Sequence, residues 1–214
     1  MTDQHDCQLY LVTPPVFEPA AFAPLVEDAL KAGPVACLQL WAPEADEDWI
    51  RAAAKRLRDL VQGRETAFVL NGWVKLAAYL GCDGVHLDRA SAKEVKAAKK
   101  VLGDDAIVGV SAGVSRHDAM VAAEAGADYV SFGPVFDSRT KSLPADPAAL
   151  QAIEWWGEMM ETPSVAVGGI TPETVKKPVD AGADFVCAVS AVWEHPDGPG
   201  AAVAAFTKAL KAAR

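Results

Sequence analysis

The chain has 214 residues, 51% of them hydrophobic, and a formal net charge of −9 at pH 7. This length and composition predict one domain, residues 1–214, with a sizeable buried core. The acidic charge without a basic cluster argues against nucleic acid and membranes as partners. Since the N-terminus has no apolar segment of the signal-peptide type, and no apolar run of about 18 residues occurs, we expect a cytoplasmic protein.

In the first half of the chain, short β-prone runs alternate with helical patterns. Strands are predicted at 8–13, 35–40, 67–70, 84–87 and 106–110. Between them, helices are predicted at 19–32, 46–61, 73–80 and 92–102. Each strand is therefore followed by a helix, which is the order expected of a parallel sheet in an α/β protein.

The second half continues the alternation and brings the number of predicted strands to eight. A helix at 116–125, a strand at 128–132 and a helix at 146–158 precede strands at 164–167 and 185–189 and a final helix at 200–211. Right-handed βα units leave two architectures, a closed barrel and an open doubly wound sheet. Because no Gly-x-Gly-x-x-Gly loop follows the first strand, we predict an α/β fold of the (β/α)8 TIM barrel type.

A short pattern recurs ahead of three predicted strands: a glycine that ends a helix, one further residue, an aspartate and the start of the strand. It occurs at 81–85, 126–130 and 182–186. The three copies lie about two βα units apart, so they mark the fourth, sixth and eighth strands. This repetition supports the count of eight independently of the hydrophobic pattern.

The last two predicted strands run into turns that expose their backbone. Gly168 and Gly169 follow the seventh strand, and Val189 and Ser190 close the eighth. In a TIM barrel, the loops after strands 7 and 8 commonly bind phosphate through backbone amides and a helix N-terminus. We therefore predict a phosphate site at these four residues. The alternative is a pair of tight turns that need glycine for their positive φ angles.

The carboxyl ends of all strands face one mouth of a TIM barrel, so the polar and aromatic residues at those ends are candidates for chemistry. Gln39 and Trp41 end the second strand, and Asn71 and Trp73 end the third. Ser111 ends the fifth strand. We predict that these five residues line a substrate site.

The longest predicted loop, residues 133–142, follows the sixth strand. It carries Ser138, Thr140 and Lys141, whose hydroxyl groups and ammonium group suit phosphate or diphosphate oxygens. Its position next to the predicted phosphate site favours a functional interpretation. The alternative is a solvated connection without a role in binding.

Five segments carry motifs in a fixed order along the chain. They lie at 9–13, 84–87, 109–112, 126–136 with Thr140 and Lys141, and 167–171 with 189–191. Together they resemble the thiamine phosphate synthase family, including its tautomerase branch, over nearly the whole chain. The resemblance implies an enzyme of thiamine biosynthesis that joins 4-methyl-5-(2-phosphoethyl)thiazole to 4-amino-2-methylpyrimidine-5-methyl diphosphate. Diphosphate is released and thiamine phosphate is formed.

The resemblance also implies roles for residues already singled out. We assign Lys141 and Ser111 as catalytic, and a phosphorylated small molecule as the partner. The substrate-binding residues are then Gln39, Trp41, Asn71, Trp73, Ser111, Ser138, Thr140 and Lys141. The oligomeric state stays open, with a homo-oligomer among the alternatives.

The match breaks where the family pattern holds its diphosphate and metal ligands. The pattern has an arginine where this chain has Trp41, and carboxylates at the positions of Gly72 and Ser91. We therefore predict no bound metal, and Mg²⁺ only if Asp88 takes the place of the missing ligands. Trp41 and Trp73 either stack on a heteroaromatic ring or cover the end of the barrel as core residues.

Three functions remain open from the sequence. The first is a synthase whose metal and diphosphate half is altered, with Asp88 and Arg89 restoring one carboxylate and one cation. The second is a protein that binds thiazole phosphate or thiamine phosphate without turnover. The third is an isomerase of the tautomerase branch, although Gly113 stands where the resemblance assigns that branch a histidine.

Overall fold

A computed structural model describes residues 6–213, so residues 1–5 and 214 of the predicted domain lie outside the described part of the chain. The described residues contain eight β-strands, which are β1 (Gln8–Val12), β2 (Cys37–Leu40), β3 (Ala67–Asn71), β4 (Gly84–Asp88), β5 (Ile107–Gly113), β6 (Tyr129–Phe132), β7 (Ser164–Ala166) and β8 (Phe185–Ala188). Each strand except β8 is separated from the next strand by one helix. The sequence pattern predicts these helices except the one between β7 and β8.

The same residues contain nine helices. They are α1 (Pro19–Ala32), α2 (Glu47–Val61), α3 (Val74–Leu80), α4 (Ala92–Leu102), α5 (Arg116–Glu124), α6 (Ala148–Met159), α7 (Lys176–Asp180), α8 (Ser190–Trp193) and α9 (Pro199–Ala212). Within residues 6–213, none of these helices combines the length and the apolar character that crossing a membrane requires.

The eight strands are parallel and close into a barrel in the order β1 to β8. Closure comes from the pairing of β1 with β8, in which Tyr10 lies opposite Cys187. On its other side, Tyr10 lies opposite Cys37 of β2. The prediction of a TIM barrel is therefore confirmed, and the open doubly wound sheet is wrong.

The main hydrophobic core lies between the strands and the surrounding helices. Phe68, Phe132, Trp156 and Phe206 are fully buried in it. A second, smaller cluster fills the barrel interior and includes Tyr10 with its neighbours on the inner face. Alternate residues of each strand thus face either the helices or the interior, and the inner set forms the floor of any site at the mouth.

The recurring glycine and aspartate pattern has a structural role at the amino-terminal end of the barrel. Each aspartate precedes an even-numbered strand and accepts a hydrogen bond from a backbone amide of the preceding odd-numbered strand. Asp83 accepts from the amide of Phe68 at 2.7 Å, and Asp128 accepts from that of Val108 at 2.6 Å. The third copy has Asp184 accepting from the amide of Ser164 at 2.7 Å.

Short helices are the main feature that the sequence pattern did not indicate. Helices α7 and α8 contain five and four residues. An apolar stripe needs about two turns to be recognised, and these helices are shorter than that. Helix α6 begins at Ala148 rather than at the predicted residue 146, because the side chain of Asp146 accepts the amide of Ala148 at 2.9 Å and remains outside the helix.

Candidate functional site

The carboxyl ends of the strands open into a cavity of about 320 Å³. Its wall includes eleven of the predicted site residues, namely Gln39, Trp41, Asn71, Ser111, Ser138, Thr140, Lys141, Gly168, Gly169, Val189 and Ser190. Residues that lie far apart in the sequence thus meet at the end of the barrel where TIM-barrel active sites occur. The cavity is of a size typical of small-molecule sites.

Three positions discussed from the sequence lie away from this cavity wall. Trp73 is the residue before α3 and packs, partly buried, against the outer core. The chain turns outward at Gly72, whose φ angle is +79°. Ser91 caps α4, where its hydroxyl donates to the carboxylate of Glu94 at 2.7 Å. The structure therefore favours the core interpretation of Trp73 over a stacking wall.

The turn after β7 needs glycine at two consecutive positions. Gly168 and Gly169 have φ angles of +99° and +63°. A Cβ atom on Gly168 would lie 2.5 Å from Cβ of Pro134, and one on Gly169 would lie 2.5 Å from the carbonyl oxygen of Asp137. Both the positive φ angles and the close approach of the loop after β6 exclude a side chain here.

The same turn presents unpaired amides to the cavity together with the start of α8. In residues 6–213, no protein acceptor meets the amides of Gly168, Gly169, Ser190 and Ala191. The first amides of a helix have no partner within the helix, and they carry partial positive charge. These four amides could therefore donate hydrogen bonds to an anion without any change in the fold.

The loop after β6 folds over the cavity as a short hairpin. The amide of Ser138 donates to the carbonyl of Leu143 at 2.8 Å, and the reverse bond is 3.1 Å long. The ammonium of Lys141 lies 5.0 Å from the centre of the Trp41 ring. Arg139 forms an ion pair of 3.1 Å with Glu194, which follows α8. The loop thus contacts residues on both sides of the mouth, Trp41 on one side and Glu194 on the other.

A third cation, Arg89, also lines the cavity. Its backbone has a φ angle of +50°, which is uncommon for a residue other than glycine. Its Nη2 atom lies 3.5 Å from the point where Gly113 would carry a Cβ atom. Gly113, where the resemblance to the tautomerase branch implies a histidine, thus has a guanidinium group close by.

Polar side chains cross the cavity floor on the β4, β3, β2 and β1 side. Asn71 donates from Nδ2 to the Asp88 carboxylate at 3.0 Å. Gln39 donates from Nε2 to Oδ1 of Asn71 at 2.8 Å. The hydroxyl of Tyr10 donates to Oε1 of Gln39 at 2.9 Å. These four residues form one continuous row of hydrogen bonds from the mouth to the barrel interior.

The row continues through the interior to β4, β5 and β6. The hydroxyl groups of Tyr10 and Tyr129 lie 2.7 Å apart. Nδ1 of His86 lies 2.8 Å from the Tyr129 hydroxyl, and Nε2 lies 2.9 Å from Oγ of Ser111. Ser111 in turn lies 3.2 Å from Oγ of Ser131. The cavity floor is therefore connected by hydrogen bonds from Asp88 to Ser131.

Burial changes the acid–base properties of this row. It lowers the pKa of His86 to about 4, an effect that Asp88 opposes and Lys141 reinforces. Burial likewise raises the pKa of Tyr10 and Tyr129 well above the ordinary value for tyrosine. At neutral pH the imidazole and both phenols are therefore uncharged, and the row binds by hydrogen bonds rather than by ionic contacts.

Sequence analysis did not assign site roles to Tyr10, Tyr129 and Ser131, although all three line the cavity. All three lie within strands rather than at strand ends, and a tyrosine within a strand is ordinarily interpreted as a core residue. A signal was present in the spacing, because inward-facing side chains lie two residues apart along a strand. Ser131 lies two residues after Tyr129, and His86 lies two residues before Asp88.

The cavity wall offers few side-chain ligands for a magnesium ion. Among residues 6–213, Asp88 is the one carboxylate on the wall of this cavity, and one of its oxygens accepts from Asn71. Across residues 6–213, no cluster of three His, Cys, Asp or Glu side chains could hold a metal ion. Magnesium usually binds one or two carboxylates together with substrate phosphates. The side chains of this cavity supply one carboxylate, that of Asp88.

Comparisons with known proteins agree with one another. The family model described as "Thiamine monophosphate synthase" matches residues 9–192. A thiamine-phosphate synthase of Rhodospirillum centenum is 51% identical over 96% of this chain and 99% of its own length. One from Erythrobacter litoralis is 41% identical over 96% of each chain. The solved structure of a thiamine phosphate pyrophosphorylase from Pyrococcus furiosus superposes with a TM-score of 0.81 at 25% identity, over 98% of both chains.

Proposed function

The chain belongs to the thiamine monophosphate synthase family, and we propose that its cavity joins a thiazole phosphate to an aminopyrimidine-methyl diphosphate. The carbon–oxygen bond to diphosphate breaks, and the lone pair of the thiazole nitrogen forms a carbon–nitrogen bond to the methylene group. The products are thiamine phosphate and diphosphate. The observation that carries the proposal is the group of unpaired amides facing a cation-bearing loop across one cavity.

The thiazole phosphate binds where the loops after β7 and β8 meet. The amides of Gly168, Gly169 and Ser190 donate to its phosphate oxygens, and the start of α8 adds favourable partial charge. Val189 lines the same corner with an apolar side chain. This arrangement binds an anion without a cationic side chain, because backbone donors replace the water that hydrates the free phosphate.

The diphosphate of the second substrate binds under the loop after β6. Lys141, Arg139 and Arg89 all line the cavity, and Ser138 and Thr140 add hydroxyl donors. These groups offset the charge that develops on diphosphate as its bond to carbon breaks. The chain thus carries cations at this end of the cavity even though Trp41 stands where the family pattern has arginine.

The floor of the cavity binds the pyrimidine, with Gln39, Asn71 and Ser111 as polar contacts. Trp41 forms a flat wall next to Lys141, where an aromatic ring can stack. Relative to the family pattern, Gly72 and Ser91 are alterations that carry no carboxylate. The competing proposal, a protein that binds thiamine phosphate without turnover, follows if these alterations abolish the reaction.

The proposal is tested by supplying the purified protein with both substrates and measuring thiamine phosphate and diphosphate, with and without Mg²⁺. Gly169 is unsuitable as a test position because any side chain there disturbs the loop after β6. Ser190→Asp instead places a carboxylate at the phosphate corner. Ser190→Ala is the matched control, since it keeps the backbone amide and adds no charge.

We expect equal amounts of thiamine phosphate and diphosphate from the wild-type protein. Ser190→Asp should raise the KM for thiazole phosphate by at least about tenfold, the effect of roughly 1.4 kcal/mol of repulsion. Ser190→Ala should change that KM less than about threefold. Tight binding of thiamine phosphate without any product would instead establish the binding protein. Equal effects of the two Ser190 variants would contradict the phosphate assignment.

A further inference from the structure

The row of hydrogen bonds across the cavity floor has a direction that begins at Asp88. A carboxylate offers only acceptors, so Asn71 must turn its NH₂ group toward Asp88. Oδ1 of Asn71 then faces Gln39, which must donate from Nε2. Oε1 of Gln39 is left to accept from the hydroxyl of Tyr10. Each amide orientation is thereby fixed by the one before it.

The second half of the row inherits this direction. The hydroxyl group of Tyr10 has one hydrogen and donates it to Gln39, so the hydroxyl group of Tyr129 must donate to that of Tyr10. Tyr129 then accepts from Nδ1–H of His86. A neutral imidazole carries one hydrogen, so Nε2 is an acceptor and takes the hydroxyl hydrogen of Ser111. Ser111 has no second hydrogen to offer and accepts from Ser131.

We propose that Asp88 is a positioning residue, which acts through this row to hold His86 as the Nδ1–H tautomer and to turn the Ser111 hydrogen away from the substrate. The Ser111 oxygen then faces the cavity as an acceptor and selects a ring that bears an N–H donor at that place. The statement about substrate rests on the proposed function, whereas the statement about His86 does not. The family pattern that the sequence resembles has glycine at the position of Asp88.

The burial of the row supports a long-range effect of one exposed carboxylate. Tyr10, His86 and Tyr129 are 3%, 6% and 7% exposed, so water does not compete strongly for their hydrogen bonds. No buried side-chain nitrogen or oxygen in residues 6–213 lacks a hydrogen-bond partner. Reversing one bond would therefore force a reversal of the others or leave a buried group unpaired, which is costly.

The tautomer is measured directly on protein labelled with ¹⁵N in its four histidines, from two-bond proton–nitrogen correlations at neutral pH. The signals of His86 are identified by their loss in His86→Gln. Wild-type protein should show at least a roughly tenfold excess of the Nδ1–H form, a ratio within reach of one ordinary hydrogen bond. A predominant Nε2–H form in the wild-type protein would overturn the proposal.

Two variants interrupt the row at different points. Asp88→Asn keeps the size of the side chain but offers both a donor and an acceptor, so it no longer fixes the direction of the hydrogen bonds in the row. The ratio of the Nδ1–H to the Nε2–H form of His86 should then fall to near one. Tyr129→Phe removes the hydroxyl next to His86 and should have the same effect with Asp88 intact. Asp105→Asn, in an exposed turn before β5, removes one negative charge and should leave the tautomer unchanged. An unchanged tautomer in Asp88→Asn would refute the role of Asp88.

Kinetics test the substrate part separately. Asp88→Asn should lower kcat/KM for the pyrimidine diphosphate about tenfold and leave the KM for thiazole phosphate unchanged. In a Ser111→Ala background, Asp88→Asn should cause no further loss, because the acceptor through which it acts is gone. A tenfold loss of kcat/KM on adding Asp88→Asn to Ser111→Ala would contradict the claim that Asp88 acts through Ser111. The absence of any turnover in wild-type protein would refute the proposed function while leaving the tautomer result valid.

Discussion

The aspartates at the amino-terminal end of the barrel give a sharp test of what the repeated sequence pattern does. We expect Asp128→Ala to destabilise the fold without changing the cavity, which lies at the other end of the strands. The Asp128 carboxylate accepts from the amide of Val108 at 2.6 Å and pairs with Lys99 at 2.7 Å. The substitution leaves that amide, which belongs to a buried strand residue, without a partner.

The expected loss follows from these two contacts. A hydrogen bond to a charged acceptor is worth about 1.5–3 kcal/mol, and the Asp128 side chain is 43% exposed, which favours the lower half of that range. The Lys99 ammonium group still donates to two backbone carbonyls, at 2.8 Å and 3.4 Å, so it keeps hydrogen-bond partners when the carboxylate is removed. We therefore expect a loss of about 2 kcal/mol in the free energy of unfolding, or about 4–8 °C in Tm for a chain of this size.

The assay is urea unfolding followed by circular dichroism, with steady-state kinetics in parallel. Asp128→Asn is the matched control, because its carbonyl oxygen can still accept from Val108, and it should cost about half as much. Asp105→Ala, at an exposed turn, should stay within about 0.5 kcal/mol of wild type. If Asp128→Ala were no less stable than Asp105→Ala, the pairing across the barrel end would not be the reason for the repeat.

Three further predictions concern the cavity. Burial lowers the pKa of His86 to about 4 from an ordinary 6.5, so unfolding takes up a proton between these values. Stability should therefore fall by about 3 kcal/mol as the pH drops from 6.5 to 4, and His86→Gln should flatten that dependence in urea titrations. Trp41→Ala should weaken thiamine phosphate binding by about 0.5–2 kcal/mol in fluorescence titrations, whereas Trp73→Ala should not. Gly109→Ala should cost about 1–3 kcal/mol in urea unfolding, because its Cβ atom would lie 1.9 Å from the Tyr129 ring.

The fold could be predicted because several local signals agreed. Apolar runs indicated eight strands, helical stripes indicated most of the helices between them, and the aspartates independently marked the fourth, sixth and eighth strands. Asp46 and Ser91 cap α2 and α4 with their side chains, so those helix starts fell within one residue of the prediction. The alternating order then left a closed barrel and an open doubly wound sheet, and the absence of a Gly-x-Gly-x-x-Gly loop after the first strand favoured the barrel.

The connected cavity floor could not be predicted from the same signals. Whether Tyr10 faces the helices or the interior depends on the tilt and register of strands that are far apart in sequence. Space for Tyr129 depends on Gly109 of the neighbouring strand, which reads as an ordinary small residue in an apolar run. Trp73 lies off the cavity wall for a related reason. A residue two positions beyond a strand residue faces the same way only while the strand continues, and β3 ends at Asn71.

The charge of the whole chain and the charge of the cavity have opposite signs, and distance decides which one a phosphorylated substrate experiences. The net charge is −9, whereas the cavity wall carries Arg89, Arg139 and Lys141 against the carboxylate of Asp88. At physiological salt, exposed charges are screened beyond about 8 Å, so the acidic outer surface contributes little to a ligand already inside the mouth. In the proposed reaction, recognition of the diphosphate therefore depends on contacts with those three cations and the loop that carries two of them. Because the Arg139 side chain is also paired with Glu194, binding at this loop has to exchange one ionic partner for another.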